Sequence, residues 1–145
     1  MDGSSARIIE NLIYSYAEYL DLGKIDLMAE LFVHADLVNA EESLQVNGAD
    51  AIARIYKDFV RLYPDGTPCT HHVTSNVIIE VEPDDQIAIA RSYFTVFQAA
   101  EGLPLQPIIT GRYHDQFARI NGHWCFTRRK ILACLEGDLS RHQRN

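Results

Sequence analysis

The apolar residues of this chain change their spacing once, and that change limits the folds open to it. Up to Tyr63 they recur every three or four residues, as on one face of a helix. From Thr70 onward the chain is rich in β-branched and aromatic residues. Turn signals interrupt that half at Glu82-Pro83-Asp84-Asp85, Glu101-Gly102 and Asn121-Gly122, as expected between strands. Asn121-Gly122, between Phe117-Ala118-Arg119-Ile120 and His123-Trp124-Cys125-Phe126, marks a tight hairpin. Helices followed by long antiparallel strands predict an α+β fold, with the helices packed on one face of a strongly curved, mostly antiparallel sheet.

Residues 4–22 read as a helix that Ser4 or Ser5 can cap, since a hydroxyl there accepts from a free backbone N–H. Ile9, Ile13, Tyr16 and Leu20 share one face, Leu12 widens it, and Gly23 is a stop. A shorter helix over 26–32 follows, then short strands near 37–40 and 44–46. The third helix spans about 49–63, with Ile52, Ile55, Phe59 and Leu62 at apolar spacing, and Tyr63-Pro64-Asp65-Gly66 ends it. Four strands are predicted at about 70–82, 86–99, 106–120 and 123–134. No repeat, linker or low-complexity segment interrupts the 145 residues, so one domain is expected over 1–145.

Composition excludes several functions. Apolar residues make up 47% of the chain, too many for a disordered segment. Thirteen Lys and Arg against twenty Asp and Glu give a net charge of −7, which lacks the basic footprint that nucleic acid requires. No apolar run approaches the roughly eighteen residues that cross a bilayer, so no membrane partner is expected. The N-terminus opens on acid and serine rather than on a basic and then an apolar segment, so a signal peptide is not expected. Cys69, Cys125 and Cys134 form no C-x-x-C pair, which points to reduced thiols and a cytoplasmic location. His34, His71, His72, His114, His123 and His142 show neither H-x-H nor H-x-x-x-H spacing, so no metal is expected.

Several residues could carry chemistry, each beside a plainer reading. Asp21 ends the first helix, at the negative end of its dipole, where a carboxylate is unfavourable; it is a solvated helix-end acid or a functional one. Tyr16 lies on the apolar face, so its hydroxyl needs a partner. On the strand from Thr70, alternation puts His72, Thr74, Asn76 and Ile78 on one face and His71, Val73, Ser75, Val77 and Ile79 on the other. The second face is the more apolar, which leaves His72 on the polar side. Arg128-Arg129-Lys130 alternates along the last strand, with solvated charges as the default.

Taken together these residues resemble a family. Tyr16-Ala17-Glu18-Tyr19-Leu20-Asp21, followed by Gly23-Lys24-Ile25-Asp26-Leu27-Met28-Ala29-Glu30-Leu31-Phe32, is similar to the opening of SnoaL-like proteins. Thr70-His71-His72-Val73-Thr74-Ser75-Asn76 resembles their His-x-x-x-Asn strand start. Gly111-Arg112-Tyr113-His114-Asp115-Gln116-Phe117, with Asn121-Gly122-His123-Trp124 and Phe126-Thr127-Arg128-Arg129, resembles their final hairpin. The resemblance implies a cone-shaped α+β barrel of the nuclear transport factor 2-like superfamily, which includes scytalone dehydratase and ketosteroid isomerase.

Within that group the resemblance to scytalone dehydratase implies a cofactor-independent lyase, of dehydratase or dehydrohalogenase type. Its histidine–aspartate pair falls on His72 and Asp21 by position, its tyrosine on Tyr16. The resemblance to hexachlorocyclohexane dehydrochlorinase puts its final-strand arginine on Arg129, implying a substrate-binding residue, with Arg128 one residue away. Arg91, Tyr93 and Thr95 occupy the strand where scytalone dehydratase has a second histidine. The implied substrate is small, apolar and cyclic, walled by Phe32, Phe59, Phe94, Phe97 and Trp124. A ligand-binding module, a small-subunit partner of a ring-hydroxylating dioxygenase, an isomerase and a polyketide cyclase share the fold and stay open as alternatives. Apolar residues on both sides of 86–99 and 123–134 add a homo-oligomer, dimer or trimer, to the expectation.

Overall fold

The computed structural model describes residues 4–144. The elements run α1 (Ser5–Asp21), α2 (Ile25–Glu30), β1 (Asp36–Asn39), β2 (Gln45–Asn47), α3 (Ala49–Phe59), β3 (Thr70–Val81), β4 (Ile87–Ala100), β5 (Leu103–Ile120) and β6 (His123–Glu136). Six strands form one curved, unclosed sheet in the order β2-β1-β6-β5-β4-β3. All pairs are antiparallel except β1 with β6. No helix among the described residues is long and apolar enough to cross a membrane.

The apolar stripe of α1 fixes the core. Ile9, Ile13, Tyr16, Ala17 and Leu20 are buried on it. All but Ala17 share one buried cluster with Ala88, Ala90, Phe94 and Val96 of β4, Tyr113 and Phe117 of β5, and Phe126 of β6. Burying each large apolar side chain contributes about 1.5–3 kcal/mol. Polar bonds pin both ends of the helix. At its start Ser5 Oγ donates to Asp85 Oδ1 at 2.6 Å, and Arg119 Nη2 donates to Asp85 Oδ2 at 2.6 Å. At its end Gly23 N–H reaches Leu20 O at 2.9 Å and Lys24 N–H reaches Tyr19 O at 2.8 Å, the paired bonds of a left-handed helix stop. Gly23 has φ +74°, and a Cβ there would run into the carbonyl oxygen of Gly66, so the position requires glycine.

Two irregularities decide which side chains face inward. In β3 the pairing with β4 slips between Ser75 and Ile78, where Asn76 takes φ 53°. Asparagine tolerates that left-handed backbone, and the extra residue reverses the alternation. Thr70, His72 and Thr74 are therefore covered before the bulge, and Val77, Ile79 and Val81 after it. The uninterrupted two-faced strand expected from sequence is corrected on this point: Ile78 does not share the covered face of His72. In β6 the register slips opposite Gln116/Phe117 and leaves Thr127 unpaired. Trp124 and Phe126 point inward before the slip and Arg129 after it, while Arg128 and Lys130 reach out to Glu42.

Arg129 is fully buried and opposite Asp115 on β5. It grips that carboxylate with two bonds, Nε to Oδ1 at 2.8 Å and Nη2 to Oδ2 at 2.9 Å. Its guanidinium carbon lies 3.6 Å from the Tyr113 ring centre and 4.4 Å from that of Tyr16. The default of solvated charge thus fails for Arg129, because the bulge turns it into the core.

The third helix is shorter than expected. It stops at Phe59, and Val60 turns extended and bridges Gln143, so backbone pairing with the C-terminal segment replaces the last helical turn. Removing one partner of a buried ion pair leaves a bare charge, at a cost of about 3–5 kcal/mol. Urea unfolding of Asp115→Ala is expected to show that loss, and replacing Asp115 by Leu together with Arg129 by Met should recover most of it. A loss below about 1 kcal/mol in Asp115→Ala would contradict the role given to the pair.

Candidate active site

Three polar bonds join the end of α1 to the start of β3. Asp21 Oδ1 accepts from the Thr70 hydroxyl at 2.8 Å and lies 2.6 Å from His72 Nδ1. Asp21 Oδ2 accepts from the His72 backbone N–H at 2.8 Å. Local structure makes this meeting possible. The Gly23 stop halts α1 with Asp21 over the sheet, and Cys69, with φ 57°, turns the chain into β3 so that Thr70 and His72 face it. Both side chains are largely covered, 16% exposed for Asp21 and 8% for His72.

Burial alone would raise the Asp21 carboxyl, but the His72 ring bond, that ring's charge, the His72 N–H and the Thr70 hydroxyl outweigh it. The net effect holds Asp21 below its ordinary value. An ionised Asp21 fixes the proton of a neutral imidazole on Nδ1 and leaves Nε2 as an acceptor. Among the described residues Nε2 makes no hydrogen bond.

Tyr16 stands beside this pair. Its ring meets the His72 ring edge-on at 6.5 Å, and its hydroxyl lies 2.6 Å from that of Tyr56. Burial, opposed by Arg129 and Tyr56, raises the Tyr16 hydroxyl, and burial raises that of Tyr56 well above the usual phenol value. Both stay protonated at neutral pH, so a chain from Tyr56 through Tyr16 leaves one O–H to donate.

The other expected residues separate. Phe32 packs on Tyr16 at 5.9 Å, and Phe94 stacks on Tyr113 at 4.5 Å, so both wall the neighbourhood of Tyr16. Phe59 does not: it sits at the end of α3, 59% exposed, because the chain leaves the helix there to meet Gln143. Trp124 does not either. It packs under Arg119, which bonds Ser5, at the start of α1, a helix of seventeen residues and so about 25 Å from Asp21. Arg129 is near Tyr16, fully buried, and its charge is matched by Asp115. Phe97 lines a groove of about 630 Å3 with Asp21, Leu22, Thr70, His71 and Leu105.

Sequence reasoning missed Thr70, Tyr56, Tyr113, Asp115 and His142. The alternation Tyr113, Asp115, Phe117 and the i,i+4 pair Ile52–Tyr56 were signals for three of them. His142 had none, since the C-terminal segment follows no periodic pattern.

A helix laid across a curved, unclosed sheet defines the nuclear transport factor 2-like, cystatin-like class. A protein of that fold from Novosphingobium aromaticivorans superposes with a TM-score of 0.74 at 20% identity, covering 94% of this chain and 86% of its own. A second protein from that organism, provisionally named a scytalone dehydratase, gives 0.71 at 24% identity, covering 92% and 86%. ActVI-ORFA from Streptomyces coelicolor gives 0.71 at 12% identity, covering 90% and 98%. The chain belongs to the SnoaL-like domain family, whose pattern matches residues 4–130. It has no match among curated proteins.

Because Asp21 is held below its unfolded value, the stability it contributes is complete above about pH 3.9. That stability is lost as pH falls through the lower folded value. Urea unfolding between pH 5 and pH 2 should therefore show a steeper acid loss in the native chain than in Asp21→Asn. Equal slopes would contradict the assignment.

Proposed function

We propose that this chain, as one domain over residues 1–145, is a cofactor-independent lyase acting on a small cyclic substrate. The observation that carries this reading is the 2.6 Å separation of Asp21 Oδ1 from His72 Nδ1, the geometry of a general base and the group that orients it. His72 Nε2 takes a proton from a carbon next to an activating carbonyl. The electrons of that C–H bond become a C=C bond, and a hydroxyl leaves the neighbouring carbon. The imidazolium returns its proton to the departing hydroxyl, which leaves as water. Asp21 stabilises the imidazolium while it lasts, and Tyr16 donates to the oxygen on which charge develops. Phe32 and Phe94 keep the surroundings apolar, which strengthens each of these contacts.

The expected product is lighter than the substrate by one water, read by mass spectrometry on hydroxylated cyclic ketones. His72→Ala should lower turnover by about 10²–10⁴-fold. Unchanged turnover would remove the dyad and leave a binding module.

An assembly of like copies belongs to the same reading. Val73, Ile78, Ile87, Ile89 and Tyr93 are large and exposed, and they lie on β3 and β4. Covering such a surface favours association. Light scattering should report a dimer or trimer, and a monomer at micromolar concentration would contradict this.

A further inference from the structure

The segment after β6 carries a histidine that the mechanism above does not use. Hydrogen bonds place this segment against α3, β4 and β5, and Gln98 of β4, which it meets, pairs with Thr70 at the start of β3. Gly137 N–H donates to Ile108 O at 2.7 Å, Arg61 N–H to His142 O at 2.9 Å, and Arg144 N–H to Phe59 O at 2.8 Å. Gln98 Nε2 donates to Arg141 O at 3.0 Å, and the Tyr63 hydroxyl donates to the same oxygen. The position of His142 is therefore set without any bond from its ring. That ring lies within electrostatic reach of His72 on β3 and Asp21 on α1. Its Nδ1 is closed off from solvent and has no partner among the described residues.

Buried polar atoms are almost always bonded, and leaving one unmet costs about 1–3 kcal/mol. Such an atom beside the dyad marks a place for a polar group that the chain does not supply. The charges say what kind of group. Arg129 is matched by Asp115, and Asp21 faces His72. Burial foremost, then the charge of His72, lowers His142 to about 4 against the pull of Asp21, so its ring is uncharged at neutral pH. Neither Arg129 nor His142 therefore offers an unmatched cation to hold an anionic ligand.

We propose that His142 is a substrate-contacting residue, whose uncharged imidazole exchanges a hydrogen bond with an oxygen of an uncharged, oxygen-bearing ring compound held beside His72. The proposal rests on the dyad reading for the position of the substrate. His142 lies beyond residues 4–130, the part matched by the family pattern.

The test is calorimetric binding to the full chain, with 4-hydroxy-1-tetralone as the uncharged probe and 1-naphthoate as an anion of similar size. The wild type should bind the hydroxyketone and reject the naphthoate. His142→Phe keeps a ring and removes the hydrogen bond, and should weaken the hydroxyketone by about ten-fold; His142→Gln should recover part of that. Failure of the wild type to bind the hydroxyketone, preference for naphthoate, or wild-type affinity in His142→Phe would overturn the proposal. Should His142→Phe not fold, the ring ¹⁵N shifts of His142 in the wild type must move on adding the hydroxyketone; unmoved shifts overturn it. Turnover of 3-hydroxy-1-tetralone, whose hydroxyl sits on the carbon next to the acidic one, separates the two readings. Affinity lost in His142→Phe without water release by the wild type keeps His142 and removes the dyad lyase. Water release by the wild type with unchanged affinity in His142→Phe does the reverse.

Discussion

The carboxylate of Asp21 is the point on which the arrangement turns. A carboxylate at a helix C-terminus faces the negative end of the dipole, so this position works against the helix unless something compensates. Here the compensation comes from another element: a hydroxyl, a backbone N–H and an imidazole, all from the first three residues of β3. One side chain thus ties α1 to the sheet, fixes where β3 begins and selects the tautomer of His72. Stability and the proposed chemistry depend on the same three bonds.

The interior around that point depends on interruptions of regular structure. A perfectly alternating β3 would place Asn76 and Ile78 on the covered face with His72, and a perfectly alternating β6 would put Arg128 opposite Asp115. The left-handed Asn76 and the unpaired Thr127 shift each strand by one residue. The first lets His72 face inward while the far half of β3 presents Val77, Ile79 and Val81. The second brings Arg129 onto Asp115 and under Tyr16 and Tyr113, where it orders the aromatic cluster that Phe32 and Phe94 complete.

Much of this was legible in the residues. The period change at the middle of the chain gave the α+β class, and the Gly23 and Asn121-Gly122 signals gave their turns. The meeting of Asp21 with His72 came from resemblance, not spacing, since the two lie 51 positions apart. What escaped was what long-range pairing decides. Counting back from the Asn121-Gly122 turn pairs Asp115 with Arg128, so the buried ion pair was hidden behind one unpaired residue. The end of α3 was misplaced because Val60 answers to Gln143, more than eighty positions away. Phe59 and Trp124 were assigned to a wall by type, whereas the early end of α3 exposes the first and the second packs at the far end of α1. His142 was invisible for the same reason as the end of α3: the segment that carries it is positioned by partners far back in the chain.

The most direct test of the central claim is the tautomer of His72, read from its ¹⁵N and ¹H resonances at pH 8. The account predicts a proton fixed on Nδ1, strongly deshielded by its bond to Asp21, with an unprotonated Nε2, and loss of that signal in Asp21→Asn. A proton on Nε2, or a freely exchanging mixture of tautomers in the native chain, would contradict it.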